Sequence, residues 1–319
     1  MRSGGRAAGA DPDPVPVWFM LPIIHHLDYL APLKPGHRFP MSKYGYLREA
    51  LAARGLLLPG GYPAPSPASA AQVALAHDAG YVERVFSQRL SPGEVRRIGL
   101  PGTEKVARRA RLSSAGTLLA AWLALEHGIA CNSAGGSHHA GPEAGAGFCV
   151  FNDVAVAIRN LLAQGAPGPM LVIDADVHQG DGTARIFADD RQVFTFSIHS
   201  EKNFPARKAV SDLDIALPDG TGDTAYLAAF RDGVARAIAA ARPRLVFYNA
   251  GVDVWSGDRL GRLALTDDGI RARDAYAIAA VRGAGIPLVG VIGGGYDDDP
   301  VRLAERHAIL FEEASRIAA

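Results

Sequence analysis

Cysteine is nearly absent from this chain: 319 residues hold two, Cys131 and Cys149. Both lie beside one polar stretch and not in a spaced framework, so no disulfide scaffold is suggested. Net charge is missing as well. Lys plus Arg and Asp plus Glu number 33 each, which leaves no field to draw the chain to a phosphate backbone or an anionic membrane. No direct nucleic-acid partner and no membrane partner are expected. No run is long and apolar enough to span a bilayer, and Met1 to Pro16 lacks the apolar centre of a secretory signal. A cytoplasmic location with reduced thiols is the expectation.

What is present is an ordinary globular composition, 48% hydrophobic and 21% charged, ample for a sizeable core. Residues 1–16 end in D-P-D-P-V-P and read as a flexible lead-in, because each Pro disfavours helix in the residue before it. A single domain is expected over residues 17–319. Apolar runs read as strands at Val17–Ile24, Gly128–Cys131, Met170–Ile173, Val193–Ile198, Leu245–Asn249 and Pro287–Ile292. Helical spacing covers Met41–Arg54 with Ser42 as candidate N-cap, a helix through Tyr81, Val85 and Phe86 led into by Ala76-His77-Asp78, Leu112–His127, Asn152–Leu162, Tyr226–Ala241, Asp267–Arg282 and Pro300–Ile317, with a helical turn at Thr183–Phe187. The alternation predicts an α/β fold, three layers (αβα) around a mostly parallel sheet. Ligands in such sheets bind beyond the carboxyl ends of the strands.

The chemistry gathers around Met170 to Thr183, M-L-V-I-D-A-D-V-H-Q-G-D-G-T. An apolar run leads into Asp174, Asp176 and His178 at alternate positions, and side chains two apart on a strand share a face. The plainer reading is the polar end of a strand, where turns favour Asp and Gly. Three further constellations weigh against it, each following an apolar run: Gly135-Gly136-Ser137-His138-His139, Gly251-Val252-Asp253 and Gly293-Gly294-Gly295-Tyr296. Asp176, His178 and Asp253 would make a three-ligand site with an open position, as in catalytic zinc. Two carboxylates nearly cancel the ion's charge, so such a metal would need help from His138, His139 and Tyr296.

Each of these has a bland alternative. A His-His pair on a loop is often incidental, as His25-His26 illustrates, but His138-His139 follows two glycines that let adjacent side chains serve one pocket. Asp174 and Asp181 are natural acceptors for the Nδ1 hydrogens of the two histidines, although Asp181 between two glycines also reads as a turn residue. The glycine triplet before Tyr296 permits close backbone approach, or else marks a loose loop with a surface tyrosine.

In this order, His138-His139, Asp174-x-Asp176-x-His178-Gln179-Gly180-Asp181-Gly182, Gly251-Val252-Asp253 and Gly293-Gly294-Gly295-Tyr296 resemble the histone deacetylase superfamily of metal-dependent amidohydrolases. The likeness runs from about Val17 to the C-terminus. Gly147-Phe148-Cys149, Ser200 to Pro205, Leu217 to Gly222 and Gly257 to Gly261 resemble its class IV branch and bacterial relatives. The resemblance implies an arginase/deacetylase-like fold and a zinc (or iron(II)) ion on Asp176, His178 and Asp253. It further implies His138 and His139 as tandem catalytic histidines backed by Asp174 and Asp181, and Tyr296 polarising the substrate carbonyl. Gly147, Phe148 and Phe204 match the walls of an acyl-lysine tunnel, and Arg38 the arginine below the metal. Asp174 and Ser197 match a structural potassium or sodium site.

The chain departs from the family pattern at the substrate clamp, where Gly102-Thr103-Glu104 offers only Glu104. The implied activity is hydrolysis of an acylated protein lysine or a small acylated amine. An arginase-like ureohydrolase would need more Asp and His ligands for two manganese ions and has no tyrosine in the role of Tyr296. A catalytically dead acyl-lysine binding module would have lost a metal ligand or the tyrosine, and none is lost here.

Overall fold

The computed structural model describes residues 20–318 except 57 and 59. The lead-in read over residues 1–16, and the beginning of the strand read from Val17, lie outside the described residues. The strands are β1 (Ile23–Ile24), β2 (Ile129–Asn132), β3 (Met170–Asp174), β4 (Val193–Ser200), β5 (Leu213–Leu217), β6 (Leu245–Asn249) and β7 (Leu288–Val291). The helices are α1 (Lys43–Ala53), α2 (Ala70–Val73), α3 (Ala79–Phe86), α4 (Pro92–Ile98), α5 (Glu104–His127), α6 (Asp153–Ala163), α7 (Asp181–Ile186), α8 (Asp223–Ala241), α9 (Asp267–Gly283) and α10 (Pro300–Ala318).

One sheet of seven strands runs in the order β1-β2-β7-β6-β3-β4-β5, with every neighbouring pair parallel. Every residue of β2, β3, β6 and β7 is buried, which is why these strands read as unbroken apolar runs without alternation. Helices α8, α9, α10 and α1 pack side by side over one face, and α5 with α6 covers the other. This is the three-layer αβα architecture. Its core is a single apolar cluster that includes Leu171, Ile173, Phe247, Val289 and Phe311.

Three differences from the sequence reading have local causes. Helix α5 begins at Glu104, well before Leu112, with Thr103 accepting a hydrogen bond from the Val106 N–H. Its charged opening, E-K-V-A-R-R-A-R, looks like a solvated segment, yet Val106, Ala107, Arg109 and Ala110 are buried. Strand β5 was not expected because it is a half-exposed edge strand, short and interrupted by Asp214. Ser42 does precede α1, but its side chain makes no capping hydrogen bond and its backbone is already helical.

The sheet order matters for function. The loops after β2, β7, β6, β3 and β4 leave from five adjacent strand ends, and register sets Asp174 at the end of β3 opposite Asn249 of β6 and Ser197 of β4. Residues far apart in sequence therefore open onto one rim.

Candidate active site

Asp176 and His178, just beyond β3, meet Asp253 from the loop after β6. One ligand atom from each lies within 4.8 Å of the others, all three residues are buried, and among the described residues this is the one such group. Most of their remaining hydrogen-bonding capacity is used. Asp176 Oδ2 accepts from the Gly294 N–H at 2.7 Å, and Asp253 Oδ1 from the Val177 N–H at 2.9 Å. Asp253 Oδ2 is buried without a hydrogen-bond partner, His178 Nδ1 standing 3.2 Å away outside hydrogen-bond geometry. An orphaned carboxylate oxygen in a protein interior needs an explanation, and a cation supplies one.

The electrostatics agree. Burial alone would lower the His178 pKa, but the carboxylates of Asp176 and Asp253 outweigh it and hold the imidazole up at about 10. The spot draws positive charge. Two carboxylates and an imidazole form an oxygen and nitrogen donor set suited to a divalent ion such as zinc or iron(II), and these residues fit one. Glycine is needed at position 294, since a Cβ there would overlap Asp253 Oδ2 and come within 2.7 Å of Asp176 Oδ2.

The two histidines sit beside this triad with their rings 4.1 Å apart. His138 Nδ1 bonds Asp174 Oδ2 at 2.7 Å, and His139 Nδ1 bonds Asp181 Oδ1 at 2.7 Å. The environments then diverge. Burial would lower His138, but Asp174 and Asp176 prevail and raise it to about 9. Burial and the neighbouring charge of His138 push His139 down to about 3. The two imidazoles are thus pulled in opposite directions, His138 toward its charged form and His139 toward its neutral form. The loop carrying them is pinned by buried Asp153, which accepts from the Gly136 N–H, the Ser137 N–H and the Thr117 hydroxyl. By contrast His25 bonds Ser133 and His26 accepts from the Asp28 N–H, so that pair serves the local fold.

Tyr296 is 8% exposed, and its ring lies 5.8 Å from Phe148, 6.3 Å from His178 and 6.4 Å from Phe39. Burial, then Asp253 and Asp176, raises its phenol well above the usual value. It lines a cavity of about 320 Å³ with His139, Gly147, Phe148, His178 and Phe204. Phe204 stands edge-on to His139 with centroids 4.8 Å apart. The opposite wall is braced by α4, because Arg97 and Ile98 carbonyls accept from the Gly147 and Phe148 N–H groups.

Two expectations are corrected. Arg38 is exposed and lines the outer cavity, not the space below the triad, because Phe39 takes the inward position. The guanidinium in the inner pocket belongs to buried Arg109 of α5, which donates to the Tyr29 carbonyl at 2.9 Å and lies over the Tyr44 ring. Glu104 is exposed as the first residue of α5 and lines no part of the outer cavity; an acid there favours the helix N-terminus. Asp174 and Ser197 are buried neighbours across β3 and β4, and the Ser197 hydroxyl lies 3.0 Å from His199 Nδ1.

Sequence reading also missed several supporting residues. Asn249 donates to Asp174 Oδ1 at 2.9 Å. Buried Arg273 of α9 donates to the carbonyls of Ala175 and Gly251, tying the loops that bear Asp176 and Asp253. Asp258 accepts from the Tyr296, Leu260 and Gly261 N–H groups, and Lys43 reaches the Gly293 carbonyl at 3.3 Å. Only the G-D-R-L-G setting of Asp258 carried a signal. The others are ordinary-looking charges and amides on helices and strand ends.

Comparison with known proteins points one way. Residues 37–310 match the histone deacetylase domain family. Histone deacetylase 2 of Arabidopsis thaliana is 32% identical over 279 residues, spanning 84% of this chain and 71% of that protein. The histone deacetylase-like amidohydrolase of Pseudomonas aeruginosa is 32% identical over 287 residues, spanning 84% and 74%. An uncharacterized protein of Picosynechococcus sp. is 44% identical over 92% of this chain and 98% of its own length. In fold the chain is similar to the crystal structure of the HDA15 HD domain, with TM-score 0.77 at 24% identity over 93% of this chain and 89% of that one. The chain belongs to the histone deacetylase family.

Proposed function

We propose that this histone deacetylase-family hydrolase removes a short acyl group from an acyl-lysine or small acylated amine, using one zinc or iron(II) ion held by Asp176, His178 and Asp253. What carries the reading is that His139, His178 and Tyr296 line one cavity, with Asp176 and Asp253 beside His178 and each tandem histidine bonded to its own aspartate. A divalent cation there supplies Lewis acidity toward the carbonyl and makes water easier to deprotonate.

The protein's own groups do the rest. His139, kept neutral by burial and by the charge of His138, takes a proton from the attacking water and returns it to the departing amine. Asp181 holds its Nδ1 hydrogen, leaving Nε2 to accept. His138, whose charged form is favoured by its bond to Asp174, lowers the energy of negative charge forming nearby. Tyr296, held protonated, donates to the carbonyl oxygen as that atom gains charge. Asp174 and Ser197 offer a potassium or sodium site that would steady the β3 end.

The size of the inner pocket supports a short acyl group. It holds only about 30 Å³ between Phe39, Tyr44, Arg109, Cys149 and Tyr296, which suits an acetyl methyl and not a long chain. Arg109 adds positive charge where the carboxylate product forms.

A hydroxamate, whose two oxygens chelate a metal with an open position, is expected to compete with an acetyl-lysine peptide. Steady-state inhibition kinetics check this. Turnover indifferent to both hydroxamate and a strong chelator would overturn the reading.

A further inference from the structure

We propose that the cavity mouth selects acylated amines that carry a carboxylate on the far side of their alkyl chain, and rejects those that carry a second ammonium. This rests on the deacylase reading and names the substrate class of the same site. Among the described residues the charged ones lining the cavity are Arg38, Lys202 and Arg262, apart from the histidines, and no carboxylate is among them. All three are exposed, so their charges face whatever protrudes from the tunnel.

The neighbouring acids are already engaged. Arg262 is paired with Asp219 at 3.1 Å. Beside Arg38, Asp298 is paired with Arg259, and Asp297 with Arg306 at 3.3 Å. Among the described residues neither Arg38 nor Lys202 has an ion-pair partner within 4.0 Å, and adjacent Glu201 makes none with Lys202. Among the described residues these two cations at the entrance have no ion-pair partner, and Leu260 and Phe204 supply its apolar wall. The chain as a whole is neutral, so this is a local field and not a consequence of net charge.

A carboxylate flanking the scissile amide is attracted there, whether it belongs to an acidic side chain of a peptide or to a small acylated amino acid. An acylated diamine meets repulsion at the same point. Charge-lined clefts of this kind change encounter rates by about 10-fold or more at low salt, and the effect fades as the Debye length shortens.

The test uses matched substrates. Acetamidohexanoate and N-acetylcadaverine share a pentamethylene chain and differ in the sign of the terminal charge. Acetyl-lysine peptides flanked by Glu or by Lys repeat the comparison for a protein substrate. The anionic member of each pair is expected to have kcat/KM on the order of 10-fold higher at low salt, mostly through KM, with the gap closing at high salt. The double variant Arg38→Glu, Lys202→Glu should reverse the order; both residues are exposed, so the fold is not at stake. Preference in the peptide pair alone would assign the carboxylate to a protein, and in the small-molecule pair alone to a metabolite.

Equal rates, a preference for the cationic members, or a ratio that the double variant leaves unmoved would overturn the proposal. Calorimetric binding of the same pairs separates this failure from failure of the deacylase reading. Tighter binding of the anionic members without hydrolysis of any substrate would sustain the selective mouth and refute the chemistry.

Discussion

Replacing His139 by Ala is expected to lower turnover of an acetyl-lysine substrate by about 100 to 10,000-fold, the range a positioned acid-base group contributes. Its ring is the neutral one of the pair, pushed down to about 3, and it is oriented by the 2.7 Å bond to Asp181. Asp181 is itself fixed by Arg185 one turn along α7, at 2.6 Å. None of these residues belongs to the Asp176, His178, Asp253 triad, so metal content should be unchanged. His138→Ala should also be impaired, through loss of the charge held between Asp174 and Asp176. Single-turnover kinetics on both variants, with metal analysis, check the assignment. Near-native turnover for His139→Ala beside an inactive His138→Ala would require the two roles to be exchanged.

Tyr296→Phe is expected to cost about 3 to 4 kcal/mol of transition-state stabilisation, roughly 100 to 1,000-fold in kcat, as loss of one oxyanion donor does. Two carboxylate ligands would weaken a cation held there as a Lewis acid, so in the proposed reaction the phenol would carry a larger share of the developing charge. Its backbone is independently held, the N–H by Asp258 at 2.7 Å and the preceding loop by the Gly294 bond to Asp176 and the Lys43 bond to the Gly293 carbonyl. Removing the hydroxyl should therefore leave fold, metal content and hydroxamate affinity close to those of the parent. A Tyr296→Phe protein with kcat within about threefold of the parent would make the tyrosine a bystander.

The legible parts of this molecule share a physical feature. The strands β3, β6 and β7 are buried, so each appears as an apolar run that stops at glycine and at the polar residues of the candidate site. Period and punctuation coincide there, and Asp174, Asp176, His178, Asp253 and Tyr296 stand out against an apolar background. The loop with His138 and His139 is visible through its two glycines, which adopt positive φ, and a Cβ on Gly136 would come within 2.5 Å of the Gly293 Cα. The direction of Arg38 is not legible in its motif, because the backbone there turns Phe39 inward and Arg38 outward.

The illegible parts depend on contacts between distant elements. Arg109 lies in the most charged stretch of α5, and only its packing against Phe39 and Tyr44 reveals a buried cation. Arg273 resembles any surface arginine of a long helix until the Ala175 and Gly251 carbonyls are brought to it. The basic mouth is assembled from three separate loops and has no sequence signature. Helix α4 did carry one, the Ser91 and Glu94 capping box, which is easily passed over in a segment so short.

Titrating metal-free protein with zinc or iron(II), while following hydrolysis of an acetyl-lysine peptide, tests the central claim most directly. Activity should rise from a negligible baseline and level off at one ion per chain, because Asp176, His178 and Asp253 offer one set of ligands. Activity that stays at the metal-free level, or that appears only with two manganese ions per chain, would contradict it.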